Sequence, residues 1–313
     1  MLTPDQIKSF HDNGYLVVQD VVSDSLKGVK DEYERTLDPI WKGWVQEGRV
    51  QDTPEFEDRI IAAYQAECEY FQPLDISLPT GEIEPDVPMH TGPEIFKLMR
   101  HPRLLDLVED LIGSEITSNP IQHVRIKPPA RDMRDGEMRA HITKTLWHQD
   151  RGVTQTVADE TNMITVWIAV SDATLDNGCL QVLKGSHAKD DLLPHCPLPQ
   201  IGIPDEFIDE TDVRPVPVKA GGVVIFHPMC AHNSRENHTD GIRWSFDIRY
   251  NVTGEPTGRA QFPEWIARSQ KDPNSELKDP KEWAKRWDEA RARLSAKSVT
   301  EFYRWDQNAP YCA

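Results

Sequence analysis

The residues of this chain best suited to chemistry are His148 and Asp150, in Trp147-His148-Gln149-Asp150, together with His232 and Arg243 far downstream. Along an extended strand, residues i and i+2 point to the same face, so one imidazole and one carboxylate are expected to converge there. A second histidine from a remote strand completes two histidines and one carboxylate on one side of a metal ion. That facial triad leaves coordination positions open and is the pattern of non-heme Fe(II) oxygenases. Arg243 adds a planar fork of donors that holds a carboxylate through a bidentate, charge-assisted pair. A metal triad with a carboxylate anchor is what an oxygenase using 2-oxoglutarate as co-substrate and O2 as oxidant needs.

Two of these assignments have rivals. His227 and His232 both lie in GGVVIFHPMCAHNSREN, which reads as strand, turn and the start of another strand. His232 is the expected ligand, because a hairpin brings Arg243 back alongside it. His227 is read as a buried, hydrogen-bonded histidine or a substrate contact. His123, His141, His187, His195 and His238 receive no metal role, although His141 is close to the first ligand strand. In RWSFDIRY, alternation places Arg243, Ser245, Asp247 and Arg249 on one face and Trp244, Phe246, Ile248 and Tyr250 on the other. A buried arginine needs an anionic partner. Asp247 is the structural candidate for that partner, a co-substrate carboxylate the functional one, and the Ser234 hydroxyl can donate to the same carboxylate.

The elements that must position these side chains fall into three stretches. Residues 1–115 read mainly as helices: a short one capped by Thr3 with Pro4 in its first turn and ended by Gly14, a second from Ser23 toward Leu37, a third over 55–70, and one from Pro102 to Ile112 stopped by Gly113. Tyr15–Val18 is a strand, and residues 72–93 read as a loop. Residues 116–255 change to short strands: Ile121–Ile126, Lys144–His148, Asn162–Val170, Cys179–Leu183, Val213–Val218, Val223–Phe226 and Ile242–Tyr250. The segments 130–141, with Arg131, Arg134 and Arg139, and 188–210, rich in proline, are irregular and expected to flank the site's mouth. Residues 256–313 end in a charged amphipathic helix from Pro280 to about Phe302, with Trp283, Trp287, Ala290 and Leu294 on one face. It is expected to pack on the outside of the barrel, a partner-binding helix being the alternative. Many short strands, helices gathered at the N-terminal end and no regular βαβ alternation predict a mainly β fold with peripheral helices: a jelly-roll or cupin-like double-stranded β-helix in one domain over residues 1–313.

A formal charge of -17 over 313 residues argues against nucleic-acid binding, which needs a basic face. The five cysteines are scattered and lack a CxxC pair, so neither a disulfide framework nor a zinc ribbon is expected, and a reducing compartment fits best. No signal peptide is evident, and no stretch approaches the roughly 20 apolar residues of a membrane span. The expectation is a cytoplasmic enzyme acting on a small-molecule substrate.

Taken together, WHQD, NMITVWIAVSDATLDNGCLQVLKGSH and FHPMCAHNSRENHTDGIRWSFDIRY closely resemble the phytanoyl-CoA dioxygenase family, and the opening LTPDQIKSFHDNGYLVVQDVV is similar to that family's usual start. The resemblance covers roughly residues 1–255. It implies that His148, Asp150 and His232 bind Fe(II), and that Arg243 and Ser234 bind the distal carboxylate of 2-oxoglutarate. It further implies that Trp167 lines the co-substrate pocket and that Gln122 or Lys127 also reaches it. The implied reaction is hydroxylation of an aliphatic C–H bond, with succinate and CO2 as co-products. Desaturation within the same family and a non-oxygenase metal- or small-molecule-binding jelly roll are the alternatives. Related halogenases replace the ligand carboxylate by a small residue; Asp150 is present, which disfavours halogenation.

Overall fold

The computed structural model of the chain describes residues 1–134, 136–139, 141–189, 191–198, 200–297 and 304–312. In chain order its helices are α1 (Pro4–Asn13), α2 (Leu26–Gln46), α3 (Phe56–Gln65), α4 (Phe71–Leu74), α5 (Pro93–Met99), α6 (Pro102–Ile112), α7 (Asp150–Val153) and α8 (Pro280–Ser295). Its strands are β1 (Tyr15–Val18), β2 (Glu115–Lys127), β3 (Thr145–His148), β4 (Met163–Ala169), β5 (Leu180–Leu183), β6 (Val213–Val216), β7 (Val223–Phe226), β8 (His232–Ser234), β9 (Arg243–Val252) and β10 (Trp265–Ser269). They form two antiparallel sheets, one in the order β1-β7-β4-β9-β2-β10 and one in the order β3-β8-β5-β6. This is the double-stranded β-helix that the strand pattern predicts.

Alternation along the strands decides what goes where. On β9, Trp244, Phe246, Ile248 and Tyr250 join Val124 and Ile126 of β2 and Ile164, Val166 and Ile168 of β4 in an apolar layer beneath the helices. That layer extends to Val29, Tyr33, Leu37 and Trp41 of α2 and to Trp283 and Trp287 of α8. The opposite face of the large sheet looks into the barrel. There Trp167, Ala169, Val224 and Phe226 pack against Leu180 and Val182 of β5 and Val216 of β6, which joins the two sheets. The large sheet is thus buried on both faces; β4 and β7 read as nearly continuous apolar runs, while β2 and β9 alternate apolar with polar residues.

The N-terminal cap is as predicted: Thr3 and Gln6 form a reciprocal capping box, and Gly14 takes the left-handed conformation (φ 80°) that glycine adopts without penalty. α2 differs. It starts at Leu26 and passes Pro39 to reach Gln46. An interior proline costs about 3 kcal/mol, but Trp41 and Trp44 beyond it are buried, and burying large side chains offsets such a cost. α5 and β10 have too little periodicity to be read from sequence, and β2 begins earlier than expected. α8 buries Trp283, Trp287, Ala290 and Leu294, with Trp283 5.6 Å from Phe96 of α5, so it is a packing helix; its expected end near Phe302 lies outside the described residues.

The cysteines depart from expectation. Cys196 and Cys312 are disulfide-bonded across 116 residues, while Cys68, Cys179 and Cys230 are free and buried. Sequence spacing carries no signal for a pair so far apart. The bond ties the C-terminal segment to the 188–210 loop, and Trp305 reinforces it by stacking on His195 (4.8 Å) and donating to the Gly152 carbonyl (2.7 Å). A cross-link closing a long loop stabilises by about 2–4 kcal/mol. Cys312→Ser is therefore expected to lower the thermal midpoint, and a reductant to lower that of wild type but not of the variant. Equal midpoints for all of them would show that the bond contributes nothing.

Candidate metal centre and cavity

The ligand candidates meet because of strand register. β3 pairs with β8 so that His148 faces His232 directly and Thr145 faces Ser234. The two imidazole centroids are 4.3 Å apart, and His232 stacks on Phe226 at 4.4 Å. Asp150 arrives differently from the strand alternation expected of it. β3 ends at His148, the chain turns at Gln149, and Asp150 opens the short helix α7. Nitrogen and oxygen atoms of His148, Asp150 and His232 all lie within 4.8 Å of one another, and all three residues are buried.

Each group is prepared for a cation. His148 Nδ1 donates to the Leu146 carbonyl (2.9 Å) and His232 Nδ1 to the Cys230 carbonyl (3.0 Å), which fixes both tautomers and leaves each Nε2 with its lone pair. Burial first, and the neighbouring His232 second, push His148 down to about 3, so its ring is neutral at ordinary pH. Burial alone would raise Asp150, but Arg249, His232 and His148 outweigh it and hold the carboxyl below the usual range. Arg249 donates to Asp150 Oδ1. Asp150 Oδ2 is buried with no hydrogen-bond partner among the described residues and lies 3.9 Å from His232 Nε2. A fully buried carboxylate oxygen in that state is costly unless something else binds it.

A second polar group sits deeper between the sheets. Lys127 of β2 lies opposite Arg243 of β9, and both are fully buried. Lys127 Nζ donates to Ser234 Oγ (2.5 Å), and Ser234 Oγ to Thr145 Oγ1 (2.9 Å). Arg243 Nη1 donates to Ser245 Oγ (2.7 Å), its guanidinium lies over the Trp167 ring (5.3 Å), and its Nε and Nη2 have no hydrogen-bond partner among the described residues. Burial, then the Arg125 cation, brings Arg243 down to about 9; burial, then Arg243 and Arg125, pushes Lys127 well below its usual range. Asp247, the structural alternative, accepts from Arg125 and is not hydrogen-bonded to Arg243. Of the two β2 candidates, Lys127 is in this group and Gln122 is not, since Gln122 Nε2 donates to the Ile76 carbonyl (2.7 Å).

A cavity of about 400 Å³ opens beside His148. Its walls include Met138 and Arg139 from one irregular segment, Ile142 just after it, and Leu198, Gln200 and Ile201 from the other. Arg131, Arg134 and Arg139 form exposed pairs with Asp240, Glu67 and Glu69. His141, which carried no metal role, lines the cavity stacked on Phe71 (5.0 Å) and next to His123 (4.3 Å). His227 lies apart, with its backbone N–H on the Gly14 carbonyl and its ring 5.4 Å from that of His187.

Three supports escaped the sequence reading. Gln149, wholly buried between the two β3–α7 candidates, donates to the Met229 carbonyl (2.8 Å) and accepts from the Leu193 N–H (2.8 Å). His195 Nε2 accepts the Gln149 N–H (3.0 Å) and sits where a Cβ on Gly152 would come within 2.6 Å, which is why a glycine stands there. Arg249 is the third. Its interior-facing position was legible from alternation, but its partner across the barrel was not.

In fold the protein is a double-stranded β-helix, and His148, Asp150 and His232 form a buried cluster that could hold a metal ion. The chain belongs to the phytanoyl-CoA dioxygenase (PhyH) family, whose model matches residues 10–245. A probable phytanoyl-CoA dioxygenase of Caenorhabditis elegans is 30% identical over 168 residues, which are 50% of this chain and about half (51%) of that relative's length. Among solved structures, the apo form of the non-heme monooxygenase ThoJ superimposes with a TM-score of 0.60 at 19% identity, covering 93% of this chain and 99% of ThoJ. The epimerase SnoN, in complex with Fe3+, alpha ketoglutarate and nogalamycin RO, gives 0.54 at 18% identity, covering 88% and 91%. At these identities the likeness to the solved structures is one of fold. Among the described residues, no helix is long and apolar enough to cross a membrane.

His232 lies in the cluster with His148 and Asp150, and His227 lies outside it. Alanine at His148, Asp150 or His232 is expected to weaken Mn(II) binding, measured by calorimetry, by more than the roughly 10–100-fold typical of outer-sphere changes. His227→Ala is expected to leave it unchanged; a loss there equal to that of His232→Ala would contradict the assignment.

Proposed function

We propose that the protein is an Fe(II)- and 2-oxoglutarate-dependent dioxygenase that hydroxylates an aliphatic C–H bond of a small-molecule substrate. The observation that carries this reading is the pairing of two unsatisfied features in one barrel. One is the buried Asp150 oxygen between two imidazoles whose Nε2 atoms are free; the other is the buried Arg243 fork with two nitrogens unpartnered. The first suits a divalent cation and the second a carboxylate. His148, Asp150 and His232 would hold Fe(II), and Arg243, Lys127 and Ser234 would hold the distal carboxylate of 2-oxoglutarate over Trp167. When bound, iron with 2-oxoglutarate supplies the O2 activation needed to oxidise an unreactive C–H bond, with succinate and CO2 as co-products.

The chain's own residues do the rest. The Leu146 and Cys230 carbonyls aim the two imidazoles. Arg243 orients the co-substrate through charge and its planar fork. The cavity beside His148 is within the ~300–1,000 Å³ range of small-molecule sites, and its wall sets Arg125, Arg139 and Arg259 beside apolar Phe71, Ile121 and Ile142. A bare metal-binding jelly roll has no use for a buried carboxylate anchor, which is what sets the oxygenase ahead of it.

The test is succinate formation. Fe(II)-loaded protein is expected to produce succinate from 2-oxoglutarate in an O2-dependent way that a suitable substrate accelerates. Arg243→Ala removes charge-assisted hydrogen bonds of about 1.5–3 kcal/mol and is expected to raise the 2-oxoglutarate requirement roughly 10–100-fold with metal binding retained. Metal binding that collapses along with it would make Arg243 structural.

A further inference from the structure

Arg249 supports the site without being one of its candidate ligands, and it is the one cation in hydrogen-bond contact with Asp150 among the described residues. It comes from β9, where its neighbours in register are Asn119 of β2 and Thr165 of β4, and it is 4% exposed. One arm of its guanidinium (Nη2) donates to Asp150 Oδ1, and the other (Nη1) donates to the Ile121 carbonyl at 2.9 Å. The fork is thus pinned at one end to the backbone of β2 and at the other to the carboxylate. The two oxygens of Asp150 are thereby made unequal: Oδ1 is taken by Arg249, and Oδ2 faces His232. A free carboxylate can give a metal one oxygen or two; in one tied in this way the hydrogen-bonded oxygen is the poorer donor and is held by its partner, which favours ligation through the other.

We infer that Arg249 is a positioning residue that restricts Asp150 to one-oxygen ligation and so keeps open the metal positions that 2-oxoglutarate must occupy. This rests on the metal reading of the His148–Asp150–His232 cluster. The alternative is that Arg249 merely balances a buried negative charge, and the two roles make different demands. Charge balance needs any cation. Positioning needs a planar fork spanning Ile121 and Asp150, which the point charge of lysine cannot reproduce.

The experiment measures, on anaerobic full-length protein, the affinity for Mn(II) by calorimetry and then the affinity of the Mn(II)-loaded protein for 2-oxoglutarate. It compares wild type, Arg249→Lys and Arg249→Met, with circular dichroism reporting the fold. Supporting groups around a metal site are commonly worth about 10–100-fold. Arg249→Lys is expected to stay folded and bind Mn(II) but to weaken 2-oxoglutarate by at least about tenfold, within that range. Arg249→Met is expected to weaken it at least as much; if that variant does not fold, the lysine variant decides alone. Wild-type 2-oxoglutarate affinity in Arg249→Lys would overturn the inference and leave Arg249 as a counter-charge. Folded wild type that binds no Mn(II) would overturn the metal reading itself, and this inference with it.

Discussion

Everything in the barrel depends on how buried charge is balanced. The interior face of the large sheet carries Arg125, Lys127, Arg243, Asp247 and Arg249, and Asp150 enters from the opposite side; each is buried. Charges out of water are tolerated only when paired and hydrogen-bonded. Two pairs form, Arg125 with Asp247 and Arg249 with Asp150. Among the described residues, they leave Lys127 and Arg243 side by side, without a carboxylate hydrogen-bonded to either, at one end of the same interior. A dianionic keto acid bridging a metal and these two groups would satisfy the end that the chain leaves open. The charge pattern thus gives the same answer as the ligand geometry, although it comes from different residues.

The helical layer makes this interior possible. A sheet that faces water on one side could relax around an unpaired arginine. This one is clamped from outside by Trp244, Phe246, Ile248 and Tyr250 against α2 and the helices beside it. Because alternation is strict along β9, the same strand supplies the apolar face that fixes the sheet and the charged face that fills the barrel. A one-residue slip would exchange them, so register is strongly specified where the chemistry requires it. On the smaller sheet, the β3–β8 register does the same for His148 and His232.

Much of this was legible in the sequence. Residue types and spacing pointed to His148, Asp150 and His232, the two faces of RWSFDIRY placed Arg243, and the change from helical to strand texture gave the fold class. The N-terminal cap at Thr3 and the stop at Gly113 were readable because capping chemistry is local. What escaped was long-range or against propensity. The tie of Arg249 to Asp150, the His195–Gln149 brace and the Cys196–Cys312 bond join segments whose proximity no local pattern encodes. Helix α2 runs through Pro39 because burial beyond it outweighs a local rule. Asp150 reaches its place by a turn at Gln149, not by strand alternation, so the expected convergence is met by a different backbone path.

One barrel is proposed to hold both iron and 2-oxoglutarate. The most direct measurement is the visible absorption of anaerobic protein given Fe(II) and then 2-oxoglutarate. Chelation of Fe(II) by the keto acid gives a weak charge-transfer band that neither component gives alone. That band is expected in wild type and is expected to be absent in Asp150→Ala at the same concentrations. A folded wild-type protein that binds Fe(II) and shows no band at saturating 2-oxoglutarate would contradict the proposal.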